Sequence, residues 1–191
     1  PSGQPGCASD DLHALIEQLG LDPCHLVATA AGGAVAVDYT LSHPDRVSSL
    51  VLADCSGGAR DAGYVRLQEI IRPAAFEAWP AEMREVGPSY RFSNPEGTQR
   101  WAEIDHASQQ PDAPRQTPRN HITFELLTTL RTPTLVLTGD ADLYSPPSMM
   151  RQLAAAIPGS QHVLLPEAGH AAFWEQPDTW NRLVLDFIRQ H

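Results

Sequence analysis

The sequence contains no lysine: its 13 basic residues are all arginine, set against 23 aspartates and glutamates for a net charge of −10. A surface this acidic opposes non-specific attraction to phosphate backbones and anionic lipid, so neither nucleic acid nor a membrane is expected as a partner. Any fixed positive charge in a pocket must be a guanidinium, a group suited to gripping a planar carboxylate. Cysteine is also scarce. Cys7, Cys24 and Cys55 make three, an odd number at unrelated spacings with neither CxxC nor a metal-ligand pattern, which predicts free thiols in a reducing cytoplasm. No metal site and no cofactor is expected. Long apolar runs are missing as well, since none approaches the roughly 18 to 20 residues a membrane helix needs. The opening stretch PSGQPGCAS has neither a charged n-region nor an apolar h-region, so no secretory signal is visible.

What is present is ordinary globular material. The 191 residues, 42% hydrophobic and 19% charged, suit one soluble domain with a substantial core. From Asp10 to Gly20, the leucines and isoleucine at 12, 15, 16 and 19 fall at the intervals of an amphipathic helix that Gly20 stops. CHLVAT then reads as a strand, AAGG as a tight turn, AVAVDYTLSH as a helix closed by Pro44, and SSLVLADC as a second buried strand. That is a β-α-β unit with a parallel crossover. Between Ser56 and about Arg131 the pattern changes to Pro, Arg, Glu and aromatic residues, with short helical signals at GYVRLQEIIR and AEMREVG and a loop over SQQPDAPRQTPRN. Regular order returns with the strand TPTLVLTGD, the helix SMMRQLAAAI, the strand QHVLLPEAGH and a closing helix, PDTWNRLVLDFIRQH. A parallel sheet collects ligand sites at the C-terminal ends of its strands, which singles out three loops: ATAAGG, GDADLYSP and EAGHAAF.

Those loops, in the order HLVATAAGG, PTLVLTGDADLYSPP and LPEAGHAAFWEQPD, resemble the α/β-hydrolase fold family, in its branch of lidded carboxylesterases and carbon–carbon bond hydrolases. The resemblance covers nearly the whole chain outside the changed segment. It implies an α/β fold with a mostly parallel sheet flanked by helices and an inserted helical cap, divided as core 1–56, cap 57–130 and core 131–191. The first strands of such a sheet have no counterpart here, so a segment is expected before Pro1 in the native protein.

In the family the nucleophile stands at the centre of a Gly-x-Ser-x-Gly elbow. The matching residues are Ala28, Thr29, Ala30, Ala31 and Gly32, which puts Ala30 at the nucleophile position. A methyl group cannot attack a carbonyl. The resemblance assigns the acid to Asp142, with Asp140 as competitor, and the base to His170, completing a catalytic triad apart from its attacker. Ala31 would offer its backbone N–H as one oxyanion-hole donor. Gly32 and Gly33 would let the helix approach the strand closely. In the cap, Trp79, Tyr90, Phe92 and Trp101 are candidates to line an apolar pocket, and Arg72, Arg84, Arg91 or Arg100 to clamp a carboxylate. Trp79, Arg91 and Trp101 are the substrate-binding candidates, against the plainer reading that the aromatics pack the cap and the arginines are solvated.

Three functions follow. The first is an esterase or carbon–carbon bond hydrolase of a small-molecule substrate, inactive because Ala30 replaces its serine. The second is a non-serine enzyme, a cofactor-free dioxygenase or lyase, using a His170–Asp142 dyad. The third is a ligand-binding pseudoenzyme, against which the retention of both Asp142 and His170 argues. A cytoplasmic location is expected, and a homo-oligomer is left open.

Overall fold

The computed structural model describes residues 6–72, 74–110 and 116–191. Helix α1 (Ala8–Leu19) leads to strand β1 (Cys24–Thr29), helix α2 (Gly32–Ser42) and strand β2 (Val47–Ala53). Among the described residues, five α-helices lie between β2 and the next strand: α3 (Ala62–Ile71), α4 (Ala81–Glu85), α5 (Pro88–Ser93), α6 (Pro95–Ser108) and α7 (Phe124–Leu127). The chain closes with β3 (Thr134–Gly139), α8 (Pro147–Ala156), β4 (Gln161–Leu165), α9 (Ala172–Glu175) and α10 (Pro177–Ile188). Of the loop expected over residues 108–120, residues 111–115 lie outside the described residues.

The four strands run parallel in the order β1-β2-β3-β4, so all their C-terminal ends point to one edge. β2 alternates its side chains between two cores. Leu50 and Leu52 face a cluster with Val37 of α2 and Met150 and Leu153 of α8. Val51 and Ala53 face a second with Leu137, Val184 and Phe187. Burial on both faces is why β2 and β3 read as unbroken apolar runs. Gly20 adopts φ 64° and closes α1 with left-handed backbone, as a helix-stopping glycine does.

The segment between β2 and β3 is more helical than its composition suggests. α6, whose 14 residues bury none of their side chains, has little amphipathic pattern to reveal it. Its start is marked by Asn94, whose side chain accepts the Gly97 N–H, and by Pro95 in the first turn. Toward its end the same segment rejoins the sheet, because Ile122, Leu127 and Leu130 pack in the cluster of Leu50 and Leu52. Among the described residues, no helix is long and apolar enough to cross a membrane.

Candidate active site

β1 ends at Thr29 and α2 begins at Gly32, so the chain turns from strand to helix within two residues. Ala30 takes up that turn with φ 46°, left-handed backbone that a Cβ disfavours by roughly 1–2 kcal/mol. Its N–H donates to the Ala53 carbonyl at 3.3 Å and its own carbonyl accepts the Gly33 N–H at 3.1 Å. A Cβ on Gly33 would fall 2.3 Å from the Cys55 sulfur, whereas one on Gly32 would meet only the Ala28 Cβ at 3.9 Å. The close approach expected of the glycine pair therefore belongs to Gly33 alone.

Asp142 lies in the loop after β3, 2% exposed. Its Oδ1 accepts the N–H of Tyr144 at 2.7 Å and of Ser145 at 2.9 Å, which fixes the carboxylate. His170, in the loop after β4, donates from Nδ1 to Asp142 at 2.9 and 3.0 Å. Asp140 is turned elsewhere: it is exposed, and its Oδ1 accepts the Glu167 N–H at 2.7 Å, tying the β3 loop to the β4 loop. Burial would push the His170 pKa down. The hydrogen bond and charge of Asp142, with Glu85 and Asp54 behind them, outweigh it and raise the value above that of an ordinary histidine.

A cavity of about 300 Å³ joins these loops. Ala30, Ala31 and His170 line it, together with Asp54 and, from the segment between β2 and β3, Arg72 and Glu85. Neither Asp54 nor Glu85 is singled out by the sequence reading. Asp54 ends the apolar run SSLVLAD, and an acid closing a buried strand is a signal that could have found it. Its backbone has φ 49°, its Oδ1 accepts the Gly139 N–H at 2.9 Å, and its Oδ2 is buried with no partner among the described residues. Burial, and then the charge of Asp142, push its carboxyl well up. Glu85 brings Oε2 to 3.8 Å from His170 Nε2, and burial raises its carboxyl as well. Tyr144 packs its ring 4.7 Å from the imidazole. The Arg72 guanidinium lies 5.0 Å over the Tyr144 ring with its Nε buried and without a partner among the described residues.

Trp79, Arg91 and Trp101, expected at the substrate, do not line this cavity. Trp79 packs on Phe76, ring centroids 5.7 Å apart. Arg91 donates from Nε to the Val86 carbonyl at 3.0 Å, capping its own segment. Trp101 belongs to α6, which buries no side chain. Arg91 instead lines a neighbouring cavity with Asp140, Ala141 and Asp142 of the loop after β3, separate from the one that His170 lines. Tyr90 and Phe92 are likewise absent from the cavity wall, and Phe92 is 92% exposed. Of the four arginines considered, only Arg72 reaches it.

The profile of the alpha/beta hydrolase family matches residues 2–183. The chain is 28% identical over 194 residues to the 2-hydroxy-6-oxononadienedioate/2-hydroxy-6-oxononatrienedioate hydrolase of Klebsiella pneumoniae, covering 93% of this chain and 66% of that protein. It is 28% identical over 187 residues to the 2-hydroxy-6-oxo-6-phenylhexa-2,4-dienoate hydrolase of Burkholderia cepacia, covering 91% and 65%. The structure of a thermophilic esterase from Thermogutta terrifontis superposes with a TM-score of 0.74 at 28% identity, over 98% of this chain and 74% of that one. The chain thus spans about two thirds of the length of the curated relatives it matches.

Proposed function

Because this chain belongs to the alpha/beta hydrolase family, we propose that its cavity is built to hydrolyse a small carboxylate-bearing substrate, either an ester or the carbon–carbon bond of a diketone-like compound. The observation that carries this reading is the His170–Asp142 pair opening onto a cavity whose wall includes a left-handed residue at a strand-to-helix elbow. A hydroxyl on residue 30 would stand in that cavity beside an imidazole whose other nitrogen is held by a buried carboxylate, the arrangement that turns a weak nucleophile into an effective one. Ala31 caps the start of α2 and lines the cavity, so its N–H and the positive end of the helix would face a developing oxyanion.

The segment between β2 and β3 acts as a cap that supplies specificity. Among the described residues Arg72 is its cation in the cavity, and a guanidinium nitrogen buried without a partner favours a ligand carboxylate there. The Klebsiella relative is named for a dienedioate and the Burkholderia relative for a dienoate, both carboxylate-bearing. With Ala30 in place no covalent acyl intermediate can form, so the chain as it stands binds without completing this chemistry.

The test is Ala30→Ser, assayed beside the parent chain on activated esters and vinylogous diketones with and without a carboxylate. The expected result is a rise in turnover on the order of 10³-fold or more, larger for the carboxylate-bearing compounds. A flat panel overturns the reading. Ala30 itself favours a second one, in which the His170–Asp142 dyad works without a covalent step. Turnover by the parent chain that Ala30→Ser does not increase and His170→Ala abolishes would select it.

A further inference from the structure

Glu85 stands at the end of α4, and its backbone is fastened to the loop that carries His170. The Glu85 carbonyl accepts the Ala171 N–H at 2.9 Å. Two residues on, Gly87 meets Gly169 backbone to backbone: a Cβ on Gly169 would lie 2.4 Å from the Gly87 nitrogen. The Glu175 carboxylate sits against this contact, accepting the Gly169 N–H at 3.0 Å and lying 2.6 Å from where a Cβ on Gly87 would stand. The Glu85 side chain is thereby carried to the imidazole by fixed backbone. The Tyr144 oxygen accepts from Arg84 Nη1 at 2.8 Å, and the Tyr144 hydroxyl works to lower the Glu85 carboxyl against its burial.

The result is one imidazole between two carboxylates, Asp142 on Nδ1 and Glu85 at 3.8 Å from Nε2. The other charged or titratable groups facing it are Asp54 after β2, Tyr144 after β3, and Arg72 and Arg84 above the Tyr144 ring. Nε2 is the nitrogen that must be empty to take a proton from an attacking hydroxyl or water. A carboxylate beside it favours N–H there instead. We propose that Glu85 is a positioning residue of this site: the carboxylate carried in from α4 adds to the hold of Asp142 on the imidazolium, favouring the proton on His170 Nε2 and so raising the pH above which the imidazole becomes a base. The proposal rests on the reading of His170 as the working base given above.

The experiment is proton NMR of the His170 Cε1–H in the whole 191-residue chain, assigned by its loss in His170→Gln and followed against pH. Glu85→Gln is expected to lower the titration midpoint by about one unit, a tenfold weaker hold on the proton. Glu85→Asp, which keeps the charge but withdraws it, lowers the midpoint by part of that. Glu77→Gln, which removes the exposed carboxylate on the far side of Arg84, leaves it in place. A midpoint unmoved in whichever Glu85 variant keeps the parent's circular dichroism overturns the proposal. A flat substrate panel for Ala30→Ser would remove the hydrolase reading and leave this titration standing, whereas an unmoved midpoint would remove this proposal alone.

Discussion

At the scale of single residues, the site turns on two aspartates that the sequence places two positions apart. Asp142 is fixed by two backbone N–H groups and receives His170, while Asp140 spans two loops at the surface. In the Ala30→Ser protein, Asp142→Asn should lower kcat/KM by roughly 10³- to 10⁴-fold, since the amide oxygen still satisfies the loop but the imidazole loses its charge partner. Asp140→Ala, which removes the acceptor of the Glu167 N–H, should change kcat/KM less than about tenfold and lower stability by about 1 kcal/mol, the worth of one loop hydrogen bond. Steady-state kinetics and thermal denaturation of the two variants check this, and equal losses in kcat/KM would contradict it. Ala30 already carries the left-handed φ, so a serine in its place adds little backbone cost and the parent's stability should hold to within about 0.5 kcal/mol.

At the scale of elements, what the sequence makes legible follows from burial. β2 and β3 are apolar throughout because both faces are covered, and α10 is amphipathic because one face is. α6 has no buried side chain and so left only its cap residues to read. The α2 start depends on a single hydrogen atom. Gly33→Ala would drive a methyl into Cys55 and should destabilise by about 1–3 kcal/mol. Gly32→Ala meets only the Ala28 Cβ at an ordinary 3.9 Å and should be neutral, or stabilising by up to about 1 kcal/mol through helix propensity. Urea denaturation of both variants measures the difference, and equal behaviour would show that the elbow tolerates a wider gap.

At the scale of the whole molecule, stability should fall as pH rises. Burial raises the carboxyls of Asp54, Glu85 and Glu175, and Asp142 helps to raise His170 against its burial. Each of these groups holds its proton to higher pH in the fold than in the unfolded chain. The stability linked to those protons is present below the unfolded values, near 4 for carboxyls and 6.5 for imidazole. It is lost as pH climbs through each folded value. Asp38 has the opposite sign. Burial works to raise it, but hydrogen bonds from Ser9 and from the Arg119 and Asn120 backbone hold it down, so its contribution is lost as pH drops. Tm should therefore decline from mildly acid pH toward pH 9. The decline should persist in high salt, which screens the net charge of −10 but not buried groups. A Tm that rises from pH 6 to 9 would contradict this account.

The sequence by itself determined the parallel α/β order, the three loops at the strand ends and the alanine at the elbow. Those are local facts of periodicity, turn chemistry and residue identity. Only the tertiary structure decided that Arg72 and Glu85, not Trp79, Arg91 or Trp101, reach the cavity. It also decided that Asp54 is buried, with an oxygen that has no partner among the described residues. The direction of a side chain in an inserted segment depends on how that segment docks on distant loops. Here docking is set by the contact of Gly87 with Gly169, more than 80 residues apart, and no local pattern in the chain encodes that contact.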